Sequence, residues 1–275
     1  MKYTIKELRK HQYDYHIKYF PFIDDYIHHP YSFLKTKFYM AASAILIFYL
    51  LKTRITPNSL TVTYALAGVV GGVLLAIPHP LAVQIGVLLF FTKGILDWAD
   101  GHYARITKMT TLRGHVLDMY GAHLGALGLQ IGLGFFVAWR NELYTTELLV
   151  LVTMIPFLYA ARLTFFADAV ILKDVLDGGL RPLMVQDVSA SNKSTQSFAR
   201  KTYNSISSYM DDRARTVDLI CLLMLIELYS TMNITWMVFL LLVIKQWIIC
   251  AGSFYIVVQG QWVENKVQGE AGREE

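Results

Sequence analysis

The sequence predicts an all-α fold: a polytopic membrane helical bundle of six transmembrane helices, preceded by an N-terminal juxtamembrane amphipathic helix. Three observations carry that expectation. Hydrophobic residues make up 55% of the 275, more than a soluble domain of this length has to bury. Apolar runs of roughly 20 residues, enough to cross a hydrocarbon core, recur along the chain. Lysine and arginine gather on one side of those runs.

Taken in order, residues 1–36 are rich in Tyr, Phe, His and Lys ("HQYDYHIKYFPFIDDYIHHPYSF"). Aromatic rings with a polar edge settle at the headgroup level, so this reads as an interfacial or cytosolic N-terminal segment. No early apolar run marks a cleavable signal. Residues 38–51 ("FYMAASAILIFYLL") are apolar but short for a span, and are expected to lie in or dip into the interface. "TRITPNSLT" breaks the pattern. Pro57 cannot continue a helix, and Asn58 or Ser59 can cap the next one. Spans are expected at about 59–78, 81–98, 112–138, 147–170, 216–232 and 235–258, within a membrane domain of residues 37–258. Between the fourth and fifth lies a long loop, 171–215, with the polar stretch "VSASNKSTQS". Residues 259–275 form a cytosolic tail.

Orientation follows from charge. The side that carries "DWADGHYAR" has nine Lys and Arg from residues 1–55, three from 101–113, seven from 171–215 and two from the tail; the opposite loops have only Arg140. Positive charge prefers the cytosol, so the motif is expected to face it. A net charge of +4 reads as loop bias, not as a nucleic-acid footprint. Cys221 and Cys250 both lie in apolar runs and suggest no disulfide framework. Gly114, Gly121, Gly125, Gly128 and Gly132 mark the third span as one that packs closely, within the bundle or, less readily, across a homodimer.

The chemistry concentrates in "DWADGHYARITKMTTLRGHVLDMYGAH", Asp97 to His123. Asp97 and Asp100 share one helix face, and Asp118 shares a face with position 122. Clustered carboxylates repel and lose solvation, so a cation should compensate. Their hard oxygens suit Mg²⁺ or Mn²⁺, and two such ions would make a phosphoryl-transfer clamp. Gly101 and Ala104 let a nucleotide lie close to the backbone. Arg105 can grip a pyrophosphate bidentately, and Gly114 leaves room above the metals. Charges merely snorkelling from helix ends would account for one aspartate, not for this spacing.

That stretch resembles the signature of the CDP-alcohol phosphotransferase family, D-x2-D-G-x2-A-R-x8-G-x3-D-x3-D. Seven of its eight positions are present: Asp97, Asp100, Gly101, Ala104, Arg105, Gly114 and Asp118. "TPNSLT" ahead of the first span resembles the family segment there too, and the likeness extends over roughly residues 38–258. It implies an enzyme of phospholipid biosynthesis that displaces CMP from a CDP-linked donor with the hydroxyl of an alcohol acceptor, among membrane lipids and as a homodimer. It implies two-metal binding, Mg²⁺ or Mn²⁺, by Asp97, Asp100 and Asp118. Gly101, Arg105 and Gly114 would line the nucleotide site, with Pro57, Asn58 and Thr111 nearby.

The eighth position is Ala122. In the family, the aspartate there helps to hold a metal and is the proposed general base. A methyl group does neither, and loss of a general base costs about 10²–10⁴ in rate. The chain is therefore expected to be inactive or impaired. Three readings compete: an engineered Asp-to-Ala change, a natural loss, or substitution by His123. The intact remainder of the motif favours the first. His123 points about 100° round the helix from position 122.

Lys93, Arg162 and Lys245 lie inside expected spans, and intramembrane charge is a functional candidate by default. Lys93 would neutralise Asp97, Arg162 would meet an acceptor phosphate or the donor, and Lys245 would pair with Glu227. His11, His16, His28 and His29 lack a zinc pattern. Six spans favour CDP-diacylglycerol as donor; the alternative is a CDP-choline or CDP-ethanolamine aminoalcohol phosphotransferase. Rivals from other classes are an intramembrane prenyltransferase, for which "DVLDGG" from Asp174 offers only a weak second motif, and a catalytically dead binding protein or transporter.

Overall fold

A computed structural model describes residues 3–19, 23–27, 31–142 and 214–259, together with 150, 152, 154, 155 and 158. The chain divides into two compact units, Met1–Leu143 with Asp211–Thr235 and Tyr144–Met210 with Trp236–Glu275. Among the described residues every element is helical. Five helices among the described residues are long and apolar enough to cross a membrane: Tyr31–Leu50, Pro57–Ala76, Pro80–Thr107, Arg113–Arg140 and Thr235–Gly252. The expected span 147–170, Arg162, loop 171–215, His28, His29 and the "DVLDGG" stretch fall wholly or mostly outside the described residues.

In the first unit, α1 (Ile5–Tyr19) starts at a capping box. Thr4 N–H donates to the Glu7 carboxylate at 2.7 Å, and Glu7 N–H donates back to the Thr4 hydroxyl at 3.2 Å. Leu8 is fully buried in a cluster with Ala44, Ile47, Leu50, Leu60, Ala99 and Tyr103. Buried Gln12 exchanges hydrogen bonds with Ser43, at 3.0 and 3.1 Å. The N-terminal segment thus holds a helix docked on the bundle.

α2 covers Tyr31–Leu50, with a π-helical stretch at Lys35–Tyr39. It begins several residues before the short interfacial helix expected at 38–51, and its 20 residues are long enough to span.

α3 (Pro57–Ala76) is capped by Thr56, whose side chain accepts from Ser59 N–H. Asn58 and Ser59, the expected caps, are already helical. Proline is at home in the first turn, where its missing N–H has no helical partner.

α4 (Pro80–Thr107) corrects the sequence reading most. It does not stop near residue 98 but runs on to Thr107, so the whole "DWADGHYAR" stretch is helical. One glycine costs a helix about 1 kcal/mol, and the chain has no proline there to stop it. It ends at Lys108, which takes a left-handed conformation (φ 58°).

α5 (Leu112–Arg140) is capped by Thr111, whose side chain accepts from Gly114 N–H at 3.0 Å. At its far end Arg140 Nε donates to the Glu227 carbonyl at 3.2 Å, tying α5 to α6 (Ala214–Leu228). The Glu227 carboxylate accepts from Thr235 N–H at 2.6 Å and also from the Thr235 hydroxyl and Ile234 N–H. It caps the turn after α6. The second unit contributes α7, which continues from Thr235 to Gln259 and carries Lys245.

Glycines bring α3 and α5 together. A Cβ on Gly72 would lie 2.7 Å from Gly128 Cα, one on Gly132 would lie 2.6 Å from the Gly72 carbonyl oxygen, and one on Gly68 would lie 2.8 Å from Gly125 Cα. The glycines of α5 are therefore used inside the bundle, as the first of the two packing readings had it.

Candidate metal and nucleotide site

α3, α4 and α5 converge on three carboxylates. Asp97 and Asp100 stand on α4 and Asp118 on α5, and each offers an oxygen within 4.8 Å of the others. The i, i+3 spacing on α4 and the antiparallel return of α5 make that convergence possible. Asp100 is 6% exposed.

Two residues of α3 orient the carboxylates. Thr61 donates its hydroxyl to Asp100 Oδ2 at 2.7 Å. Tyr64, fully buried along its ring, places its hydroxyl 2.6 Å from both the Oδ1 and the carbonyl oxygen of Asp118. Neither was singled out from sequence. The signal was present: Pro57, Thr61, Tyr64 and Gly68 recur at helical spacing through an otherwise apolar span. Gly121 leaves room for the Tyr64 ring, since a Cβ there would lie 2.7 Å from Tyr64 Cε2.

Lys93 stands one turn before Asp97. Its aliphatic stem passes Gly125, whose Cβ would collide with Lys93 Cε, and Gly68, whose Cβ would press on Cδ at 3.2 Å. Its ammonium lies 5.2 Å from the centroid of the Tyr64 ring. Lys93 is half-buried, and a cation one turn from Asp97 offsets part of the cost of gathering carboxylates there.

Beyond the carboxylates, the starts of α3 and α5 meet. A Cβ on Gly114 would lie 3.0 Å from Asn58 Oδ1 and 3.2 Å from Thr111 Oγ1. The structure thus brings together Asn58, Thr111 and Gly114, with Pro57 buried alongside. At Gly101 the neighbour is Arg105, four residues on along the same helix. A Cβ there would meet Arg105 Nη1 at 3.4 Å, so the guanidinium folds back over Gly101. Ala104 is half-buried one position before Arg105.

Ala122 lies exposed one turn after Asp118, and His123 is half-buried beside it. On the opposite side of α4, His102 is fully buried, and neither of its ring nitrogens has a hydrogen-bond partner among the described residues. The His11 ring packs edge-on against it, with centroids 5.2 Å apart.

The donor set fits a hard divalent cation. Three carboxylates lie within reach of one ion, and two are oriented by hydroxyl donors in the manner of outer-shell partners. The family model described as CDP-alcohol phosphatidyltransferase matches residues 54–191, half of the chain. No curated protein matches the chain.

Proposed function

Because the chain belongs to the CDP-alcohol phosphatidyltransferase family and is an integral membrane protein by its five apolar helices, we propose that its site transfers the phosphatidyl group of CDP-diacylglycerol to an alcohol acceptor. The observation that carries this reading is the convergence of Asp97, Asp100 and Asp118 inside the family-matched region. In the transfer, the acceptor hydroxyl forms a new P–O bond, the P–O bond to CMP breaks, and the hydroxyl proton must be taken up.

Asp97, Asp100 and Asp118 would hold Mg²⁺ or Mn²⁺. A divalent ion there supplies charge neutralisation for the diphosphate and for the leaving CMP. Thr61 and Tyr64 orient two of those carboxylates. Arg105 binds the diphosphate, where a planar guanidinium matches phosphate oxygens. Gly101, Ala104, Pro57, Asn58, Thr111 and Gly114 line the nucleotide, and Arg162 meets the acceptor or the donor phosphate. The site faces the cytosol and the protein works as a homodimer.

Position 122 removes the proton acceptor. Ala122 follows Asp118 by one turn, where a carboxylate would face the same space. This chain therefore binds donor but turns over poorly, which suits an Asp-to-Ala change made in an otherwise intact motif.

CMP release tests the reading. The chain as it stands is run beside Ala122→Asp, with Mg²⁺ or Mn²⁺, CDP-diacylglycerol, CDP-choline or CDP-ethanolamine, and a panel of alcohols. Release from CDP-diacylglycerol by the Asp form alone is the expected result. Release only from the aminoalcohol donors moves the assignment to that branch. Failure with every donor, joined to failure of metal-dependent CDP binding, overturns the transferase reading in favour of a binding protein or transporter.

A further inference from the structure

The first helix lies outside the family-matched region, yet it reaches the motif. Tyr15 of α1 places its ring 4.0 Å from Arg105 Cζ. Gly101 borders the same guanidinium: a Cβ there would lie 3.4 Å from Nη1, in ordinary contact. Arg105 thus has an aromatic ring and a glycine among its neighbours.

The helix that supplies the ring is itself fixed at several points. Leu8 is buried and Gln12 and Ser43 exchange hydrogen bonds. His11 packs on His102 at 5.2 Å and His16 on Trp98 at 4.7 Å between centroids. Trp98, His102 and Arg105 fall at one flank of α4, so α1 covers that flank along its length. A residue mounted on such a docked helix is a rigid support, not a loose neighbour.

An aromatic ring against the face of a guanidinium leaves the in-plane N–H edge as the part of the group that meets phosphate oxygens. A long side chain ordered in advance loses less freedom when its anion arrives. We propose that Tyr15 is a positioning residue for the donor site: it clamps the Arg105 guanidinium over Gly101 in the orientation that grips the diphosphate. This rests on the assignment of Arg105 to the donor diphosphate.

The test is a double-mutant cycle read by CDP binding to the full chain with Mg²⁺ or Mn²⁺, which Ala122 does not prevent. Tyr15→Leu should weaken CDP binding about five- to thirtyfold, the range that a desolvated cation–π contact supports. Tyr15→Phe keeps the ring face and should bind within about twofold of the parent. In an Arg105→Ala background, Tyr15→Leu should have no further effect. Equal losses with and without Arg105 make Tyr15 a merely structural residue and overturn the proposal, as does tighter binding in Tyr15→Leu, which would mean that α1 obstructs the site. If Arg105→Ala leaves CDP affinity unchanged, the donor-site assignment itself fails, and the clamp with it. Thermal melting checks each variant, and Tyr15→Met, which keeps apolar bulk without a ring, replaces the leucine variant should that one not fold.

Discussion

The Tyr64 hydroxyl lies 2.6 Å from the carboxylate of Asp118, joining the middle of α3 to the acidic cluster. Outer-shell donors of this kind typically change metal affinity 10–100-fold. Tyr64→Phe removes the hydroxyl and keeps the ring that packs under Lys93. Mn²⁺ affinity, followed by electron paramagnetic resonance, should fall by about that 10–100-fold factor. Unchanged affinity would show that the tyrosine serves packing alone.

Placing a carboxylate at position 122 should act on rate far more than on donor binding. A general base contributes about 10²–10⁴ to rate, so Ala122→Asp should raise kcat for CMP release by that order. Stripping divalent metal with a chelator should abolish release by the Asp form and weaken CDP binding in both. CDP binding that ignores the chelator would separate the carboxylates from the nucleotide.

The glycine seam sets a different test. A Cβ on Gly72 would run into the backbone of Gly128, at 2.7 Å from its Cα and 2.6 Å from its carbonyl carbon. Backbone cannot step aside as a flexible side chain does, so Gly72→Ala should cost at least the about 1–3 kcal/mol of ordinary overpacking. Gly252 is the control, since nothing lies within 4 Å of its Cβ position. There Gly→Ala should be neutral or stabilise the helix by up to about 1 kcal/mol. Melting temperatures of the two variants compare them directly.

His16 gives a pH dependence. Burial, helped by the charges of Arg105 and Lys35, pushes its imidazole down to about 4 from an ordinary value of 6.5. The unfolded chain therefore takes up a proton between about pH 6.5 and 4 that the folded chain refuses. Stability from this residue is complete above that window and falls as the pH drops through it. His16→Phe, which cannot titrate, should melt with a shallower loss between pH 7 and 5 than the parent. Parallel curves would place the acid sensitivity elsewhere.

Much of the site was legible because it is local. Asp97, Asp100 and Asp118 lie within 22 residues, and helical spacing alone brings two of them to one face. Asn58 and Thr111 came from the family signature, and both stand beside Gly114. The partners that orient these groups were harder to see. Thr61 and Tyr64 read as ordinary polar breaks in an apolar span, because their targets are on other helices. Tyr15 was hidden more deeply: 90 positions separate it from Arg105, and an aromatic-rich terminal segment has an adequate explanation in the headgroup region. The extent of α4 beyond the expected span 81–98 was not legible for another reason. A charged stretch with a glycine resembles the end of a span, but the backbone needs no apolar residues to remain helical.

The length of α4 has a consequence for where reagents meet. Its 28 residues extend about 42 Å at 1.5 Å per residue, against about 30 Å of hydrocarbon. Counted from Pro80, Asp97 and Asp100 come about 26–30 Å along. A hydrocarbon layer entered at Pro80 would therefore end near Asp97 and Asp100, with the last two turns of α4 beyond it. In the proposed reaction, a donor anchored by acyl tails and an acceptor arriving from water would meet at that level without either one changing phase.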